Sequence, residues 1–173
     1  MPQRVIIYTL GMFFIALGVA LAVNSNLGIS TVSSLPYVIS LVLRQPLSLC
    51  VTGVFCCAVL LQIIILRRQF KPIQLTQIIF SALFGLLVDF SGLLLGEFCL
   101  PGYLGRLIMT LAGVLMIALG VTIYVEAALV PMPMEGLSLA IAQKSKYPFH
   151  RVKVVVDRSL VGIGIILSLC ALG

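Results

Sequence analysis

Five apolar stretches of about twenty residues constrain this chain more than anything else in it. They cover residues 5–23, 47–66, 74–96, 107–125 and about 154–172, and each approaches the roughly 20 residues that carry a helix across about 30 Å of hydrocarbon. Where no water can bond the backbone, only helices and closed barrels satisfy their own N–H and C=O groups. The stretches are continuous rather than alternating, which selects helices. An apolar fraction of 61% with 9% charged residues agrees, because a soluble domain carries about 25% charge. The expectation is an all-α polytopic membrane protein, with residues 1–173 forming a single transmembrane domain.

A duplication organises these stretches. Ile15-Ala16-Leu17-Gly18-Val19 recurs unchanged as Ile117-Ala118-Leu119-Gly120-Val121, 102 residues later. Held without a gap between Arg4 and Ile39, the same offset gives twelve identities in thirty-six positions, among them Gly11 on Gly113 and Leu35 on Leu137. Repeat one covers about 4–102 and a shorter repeat two about 106–173. Three spans separate the two starts, and an odd number reverses direction, so the copies should be related by an axis in the membrane plane. A full inverted 3+3 arrangement would need a partner for the third span beginning near residue 175. The chain ends at Gly173, and a missing sixth helix is the expectation, either because the chain is a fragment or because it evolved with five spans. An orphan third helix would be covered by forming a homodimer, which cross-linking in membranes can contradict.

Residues 1–23 have the look of a signal peptide, with a cleavage-like Ala20-Leu21-Ala22. The duplication argues for retention, since the matching segment is internal and cannot be a cleaved signal. The net charge of +6 would suggest nucleic acid in a soluble chain; here the basic residues sit in short loops between spans and set orientation, so no nucleic-acid partner is expected. With the N-terminus inside, Arg4, Arg67, Arg68, Lys71, Lys144, Lys146, Arg151 and Lys153 are cytoplasmic, against Arg44 and Arg106 outside. Arg158 lies within the fifth span and enters neither count. That bias predicts a multi-pass protein of the bacterial inner membrane, with membrane lipid as its surroundings and a cytoplasmic N-terminus.

Each copy is interrupted after its first span. Residues 24–31, Asn-Ser-Asn-Leu-Gly-Ile-Ser-Thr, favour turns and caps, and residues 35–43 then form an apolar piece too short to cross, with Pro36 suited to its first turn. Pro131-Met132-Pro133-Met134-Glu135-Gly136 occupies the corresponding place in the second copy, with a short apolar helix over 137–142. Both pieces are expected to be interfacial helices or parts of re-entrant loops. Gly92 and Gly96 have a GxxxG spacing that would let a helix approach closely, a weak signal in a glycine-containing run. Five cysteines, Cys50, Cys56, Cys57, Cys99 and Cys170, have no CxxC spacing and mostly lie in apolar runs, as reduced packing thiols do.

An ionisable side chain within a span costs roughly 2.5 to 3.5 kcal/mol on insertion scales and tends to face a bundle interior or a wet cavity. Asp157 follows Lys153 by four residues, the spacing at which two side chains meet on one helix face. It is either a structural ion pair or a carboxylate for a cationic solute or a proton. Glu135 sits on irregular backbone after two prolines, a binding group or a cap for the helix that follows. Asp89 lies toward the outer end of the third span. Asn24, Asn26 and Ser30 carry amides and a hydroxyl where the first helix stops, and either coordinate a polar solute or cap helices. Glu97 and Glu126 read as solvated span ends. The single histidine, His150, is in a basic loop, and neither a catalytic pairing, a metal-ligand spacing nor a phosphate-cradling loop is visible, so no enzyme and no cofactor are expected.

The set Ala16-Leu17-Gly18, Leu27-Gly28-Ile29-Ser30, Ser34-Leu35-Pro36-Tyr37, Gln62 ahead of Arg67-Arg68, Glu135-Gly136-Leu137 and Val152-Lys153-Val154-Val155-Val156-Asp157 resembles the YczE/YitT-like bacterial membrane proteins. The resemblance spans essentially the whole chain. It implies a polytopic inner-membrane protein of largely unassigned biochemistry, includes Asp157 in a family motif, and implies a glycine-rich final helix that is not present here, which favours the fragment reading.

The functional expectation is a small secondary transporter or permease for a small polar or cationic solute. The inverted repeats would alternate access about a midplane site lined by Asn24, Asn26 and Ser30 from one copy and by Glu135 and Asp157 from the other, with Asp89 a further candidate. The runner-up is a non-transporting membrane assembly or regulatory protein that binds a partner.

Overall fold

The computed structural model describes residues 2–171. Seven α-helices follow one another among the described residues: α1 (Pro2–Ser25), α2 (Thr31–Leu43), α3 (Leu47–Leu66), α4 (Thr76–Leu95), α5 (Gly102–Glu126), α6 (Pro133–Ser145) and α7 (Phe149–Ala171). Two short 3-10 turns, Arg67–Gln69 and Pro72–Leu75, join α3 to α4. Helices α1, α3, α4, α5 and α7 are long and apolar enough to cross a membrane, as the five apolar stretches required. The chain is an all-α, membrane-spanning protein. The expected end of the fifth span at Leu172 lies outside the described residues.

Several boundaries differ from expectation for local reasons. The second helix starts at Thr31, so Pro36 lies inside it rather than in its first turn. Proline lacks the N–H that would bond the carbonyl four residues back, and one bond is absent from an otherwise continuous helix. α6 begins at Pro133, where the absent N–H is one that has no partner within the helix in any case. α7 starts at Phe149, five residues before its apolar stretch, because His150, Arg151 and Lys153 are as helical as the valines they precede. Gly96 does not serve a helix contact: it has φ +53 and its N–H reaches Gly92 O at 2.8 Å, ending α4, and an added Cβ at either glycine would meet nothing within 4 Å.

The helices form two compact units, Phe84–Leu129 with the chain up to Ser30, and Thr31–Leu83 with the chain from Val130 onward. Each draws matched elements from both copies of the duplication.

In the first unit α1 packs along α5. The contact is made by four glycines that the 102-residue offset relates to one another. A Cβ on Gly11 would lie 2.8 Å from Gly120 O, and one on Gly120 would lie 2.6 Å from Gly11 O; Gly18 and Gly113 show the same reciprocity at 2.6 and 2.8 Å. Since Gly11 corresponds to Gly113 and Gly18 to Gly120, each glycine faces the counterpart of its own neighbour. Contact order falls along α5 as it rises along α1, so the pair is antiparallel and the copies are inverted. Seven residues between glycines is close to two turns at 3.6 residues each, which puts both on one face. Removing the side chains brings backbone to backbone, the means by which helices gain packing in lipid, where apolar burial gives no preference for a partner.

The ends of this contact are not equivalent. At one end Tyr8 and Tyr124 are buried edge to face, with ring centroids 5.7 Å apart and an interplanar angle of 85°. At the other, Thr110 Oγ1 stands 3.0 Å from Ser25 Oγ, beside Ala22, which the offset pairs with Tyr124. Large rings fill one end, while small and hydroxyl side chains close the other.

The second unit holds α2, α3, α6, α7 and the start of α4. The offset superposes α2 on α6 residue for residue and the start of α3 on that of α7. Packing follows the same exchange: α2 lies against α7 and α3 against α6, while α2 also touches α3 and α6 touches α7. α6 is enclosed, with Pro133, Met134, Gly136, Leu137, Ser138 and Ala140 all buried. Thirteen residues reach roughly 20 Å, too short to cross. Of the two arrangements expected for this piece, its burial matches a re-entrant segment enclosed in protein, where irregular backbone at membrane depth is tolerated.

Candidate functional site

The first turn of α6 meets two glutamines that project from spans. Gln62 comes from the last third of α3 and Gln77 from the first turn of α4, five residues before Arg67 and six after Lys71, so the turn carries them to matching depths on antiparallel segments. Gln62 is 0% and Gln77 1% exposed. Gln62 Nε2 donates to Gln77 Oε1 at 3.0 Å and to Pro133 O at 3.0 Å. The Pro133 carbonyl can only accept, which fixes the nitrogen of Gln62 toward it and the oxygen of Gln77 toward that nitrogen.

What remains faces Gly136. Among the described residues Gln62 Oε1 and Gln77 Nε2 have no hydrogen-bond partner. A Cβ on Gly136 would lie 2.8 Å from that oxygen and 2.9 Å from that nitrogen. An acceptor and a donor are therefore held side by side against bare backbone, at the meeting of an α3–α4 segment from copy one with the short helix of copy two. A buried polar atom left without a partner costs about 1 to 3 kcal/mol, a cost that a group both donating and accepting would remove. Water, a hydroxyl, an amide or a protonated carboxyl has that character. Ser81 and Ser138 line neighbouring turns but turn their hydroxyls back on their own helices, to Gln77 O at 2.6 Å and Met134 O at 2.9 Å.

The residues singled out from sequence fall into both units. Glu135 is half-buried in the first turn of α6, directly before Gly136. Asp157 is paired with Lys153, Nζ to Oδ1 at 2.6 Å, with both side chains 24% exposed, as the four-residue spacing predicted. Those two belong to the second unit; Asn24, Asn26, Ser30 and Asp89 belong to the first. Asp89 is half-buried on α4, and Ser30 is half-buried just ahead of α2. Asn26 has φ 53, and its N–H bonds Val23 O at 3.2 Å; it closes α1 in the left-handed conformation that asparagine tolerates better than most residues.

Asn24 Nδ2 donates to Gly96 O at 2.9 Å and Phe98 O at 3.2 Å, so its amide fastens the end of α1 to the turn after α4. Alanine at 24 is expected to cost about 1 to 2 kcal/mol through these two bonds and to speed amide hydrogen exchange over residues 96–100. Unchanged exchange there would contradict this anchoring role.

Gln77 was not singled out from sequence, and Gln62 entered only as part of a family resemblance. The available signal was two carboxamides at similar distances from one basic turn, each inside a span where polar groups are costly. Among the described residues no three His, Cys, Asp or Glu side chains gather as a metal site would require, and the five cysteines are free thiols, of which Cys50 is buried.

A sequence-family model matches this chain over residues 2–173. The chain belongs to DUF6198, a family of unknown function. No curated protein and no solved structure matches it. Membership of DUF6198 therefore comes without a substrate, and the chemistry of the carboxamide pair has to speak for itself.

Proposed function

We propose that this protein is a small secondary transporter or permease for a small polar or cationic solute, in the bacterial cytoplasmic membrane with its N-terminus inside. The observation that carries this reading is the exchange packing of inverted copies, α1 with α5, α2 with α7 and α3 with α6. Inverted repeats supply two alternative arrangements of nearly equal energy, one the mirror of the other, and alternating access uses that pair of states. Where the copies meet in the second unit, a short broken helix is buried against polar side chains, the setting in which discontinuous helices of transporters bind solute. The carboxamides of Gln62 and Gln77 would take a neutral donor–acceptor group, and Glu135 beside them a positive charge or a coupling proton. In this reading the chain does no covalent chemistry.

The test is flux into proteoliposomes across a panel of amino acids, amines, polyols and amides, with proton movement followed in parallel. Glu135→Gln is expected to lower the rate of a cationic solute at least tenfold and that of a neutral one far less. Asp157→Asn is expected to act more weakly, since Lys153 neutralises that carboxylate. A protein that moves nothing across the panel, or variants that both match wild type, would defeat the proposal and favour a non-transporting assembly or regulatory role.

A further inference from the structure

A second feature lies at the other end of α6, and no transport step uses it. A groove of about 420 Å3 opens between the end of α6 and the start of α7, within the roughly 300 to 1,000 Å3 of pockets that hold small ligands. Its floor is apolar, built by Ile141, Val152, Val155 and Val156, and Tyr147 and Arg151 stand at its rim. The same stretch concentrates charge of one sign. Lys144, Lys146 and Arg151 are exposed, and none of them makes an ion pair among the described residues. The one carboxylate nearby in the chain, Asp157, is taken by Lys153.

We propose that this groove is a binding site for one anionic phospholipid, with an acyl chain along the valine floor and the phosphate held by Arg151 with Lys144 and Lys146 beside it. Charge complementarity selects the headgroup: three cations without an ion-pair partner among the described residues favour a net negative headgroup over a zwitterion. The geometry selects a lipid rather than a soluble anion. α7 is basic from His150 to Lys153, carries its last charges at Asp157 and Arg158, and is apolar from Leu160 on, so the groove lies at the charged, headgroup end of the span and its valine floor leads toward the hydrocarbon. Tyr147, 64% exposed at the rim, is the residue type that membranes collect at that level. A free phosphate would gain nothing from a floor of valine and isoleucine.

The experiment is native mass spectrometry of the purified full chain in detergent, titrated separately with phosphatidylglycerol and phosphatidylcholine of identical acyl chains. The expected result is at least fivefold higher occupancy by phosphatidylglycerol. Arg151→Gln should remove that preference, and Val155→Trp, which fills the floor, should lower occupancy by both lipids at least fivefold. Both side chains are exposed, so neither change disturbs the core. Arg106→Gln, an exposed cation on α5, should leave occupancy as it was. Equal retention of the two lipids, an equal loss from Arg106→Gln, or full binding by Val155→Trp would each overturn the proposal. Displacement of phosphatidylglycerol by millimolar inorganic phosphate would do the same, since it would mark a phosphate site that ignores the acyl chain.

Discussion

Valine at position 120 is expected to disrupt the α1–α5 pair, with a loss of about 3 kcal/mol or more in thermal unfolding of the detergent-solubilised protein. The added atoms have nowhere to go. A Cβ alone would lie 2.6 Å from Gly11 O and 2.7 Å from Ile15 N, and both are backbone atoms that move only if the helices separate. Overpacking of a close contact costs about 1 to 3 kcal/mol, and a second branch at Cβ takes valine to the top of that range. Alanine at the same position should cost less, because its better helix propensity returns up to about 1 kcal/mol. For a chain of this size each kcal/mol moves the midpoint by roughly 2 to 4 °C. Gly53, Gly92 and Gly162, where a Cβ meets nothing within 4 Å, are the matched controls: alanine there should be neutral or slightly stabilising. The reciprocal contact supplies a stricter check. Gly11→Ala and Gly120→Ala relieve the same close approach once the helices have parted, so the double variant should lose less than the sum of the singles. Equal effects of alanine at Gly92 and Gly120 would mean that the glycine contact does not hold the two copies together.

The sequence carried this contact in plain view, though under another description. Gly11, Gly18, Gly113 and Gly120 were visible as matched positions of a duplication, and the odd number of intervening spans required the copies to be inverted. The seven-residue spacing that puts each pair on one face was the stronger packing signal, yet Gly92 and Gly96 were the pair that matched a known motif. A spacing of four is common in any glycine-containing apolar run, whereas a spacing of seven repeated at a fixed offset is not. Spans were legible because hydrocarbon imposes length and apolarity on every residue. Helix ends were less so, as at Phe149, because charged residues at a membrane surface continue a helix without cost. The site was least legible. Charge drew attention to Asp157, which Lys153 neutralises, and to Asn24, which fastens a turn. The uncharged Gln62 and Gln77 are as costly to bury once a hydrogen bond is missing, but only their meeting in space shows which of their atoms lack partners.

Replacing Gln62 with leucine is expected to destabilise the second unit by about 2 to 5 kcal/mol and to end solute flux. The amide nitrogen of Gln62 serves Gln77 Oε1 and Pro133 O together, so its loss strands the buried Gln77 Oε1, at about 1 to 3 kcal/mol, and takes a further bond of about 0.5 to 1.5 kcal/mol from Pro133 O, which keeps its helix partner. The Gln62→Leu/Gln77→Leu double variant should be more stable than that single one, because it removes the stranded acceptor along with its side chain. Stability and transport then part company: a structural pair would be rescued by two leucines, whereas a binding pair would not. Gly136→Ala sharpens the distinction, since its methyl would occupy the 2.8 and 2.9 Å approaches to the two unpartnered atoms and exclude anything else from them. The duplication provides the control. Offset by 102, Gln62 corresponds to Gly164 and Gly136 to Ser34, so the counterpart of this contact pairs a glycine of α7 with the first turn of α2. A Cβ on Gly164 would only just touch Leu35 Cα, at 4.0 Å. Gly164→Ala should therefore leave stability and flux unchanged. If Gly136→Ala transports like wild type, or Gly164→Ala is as damaging, the carboxamide pair is packing and nothing more. If the two differ as expected, the inverted copies share a backbone plan but not a chemistry: one of two equivalent contacts has been filled with polar atoms that the fold itself leaves unsatisfied. A protein selected for stability alone would have no reason to keep them there.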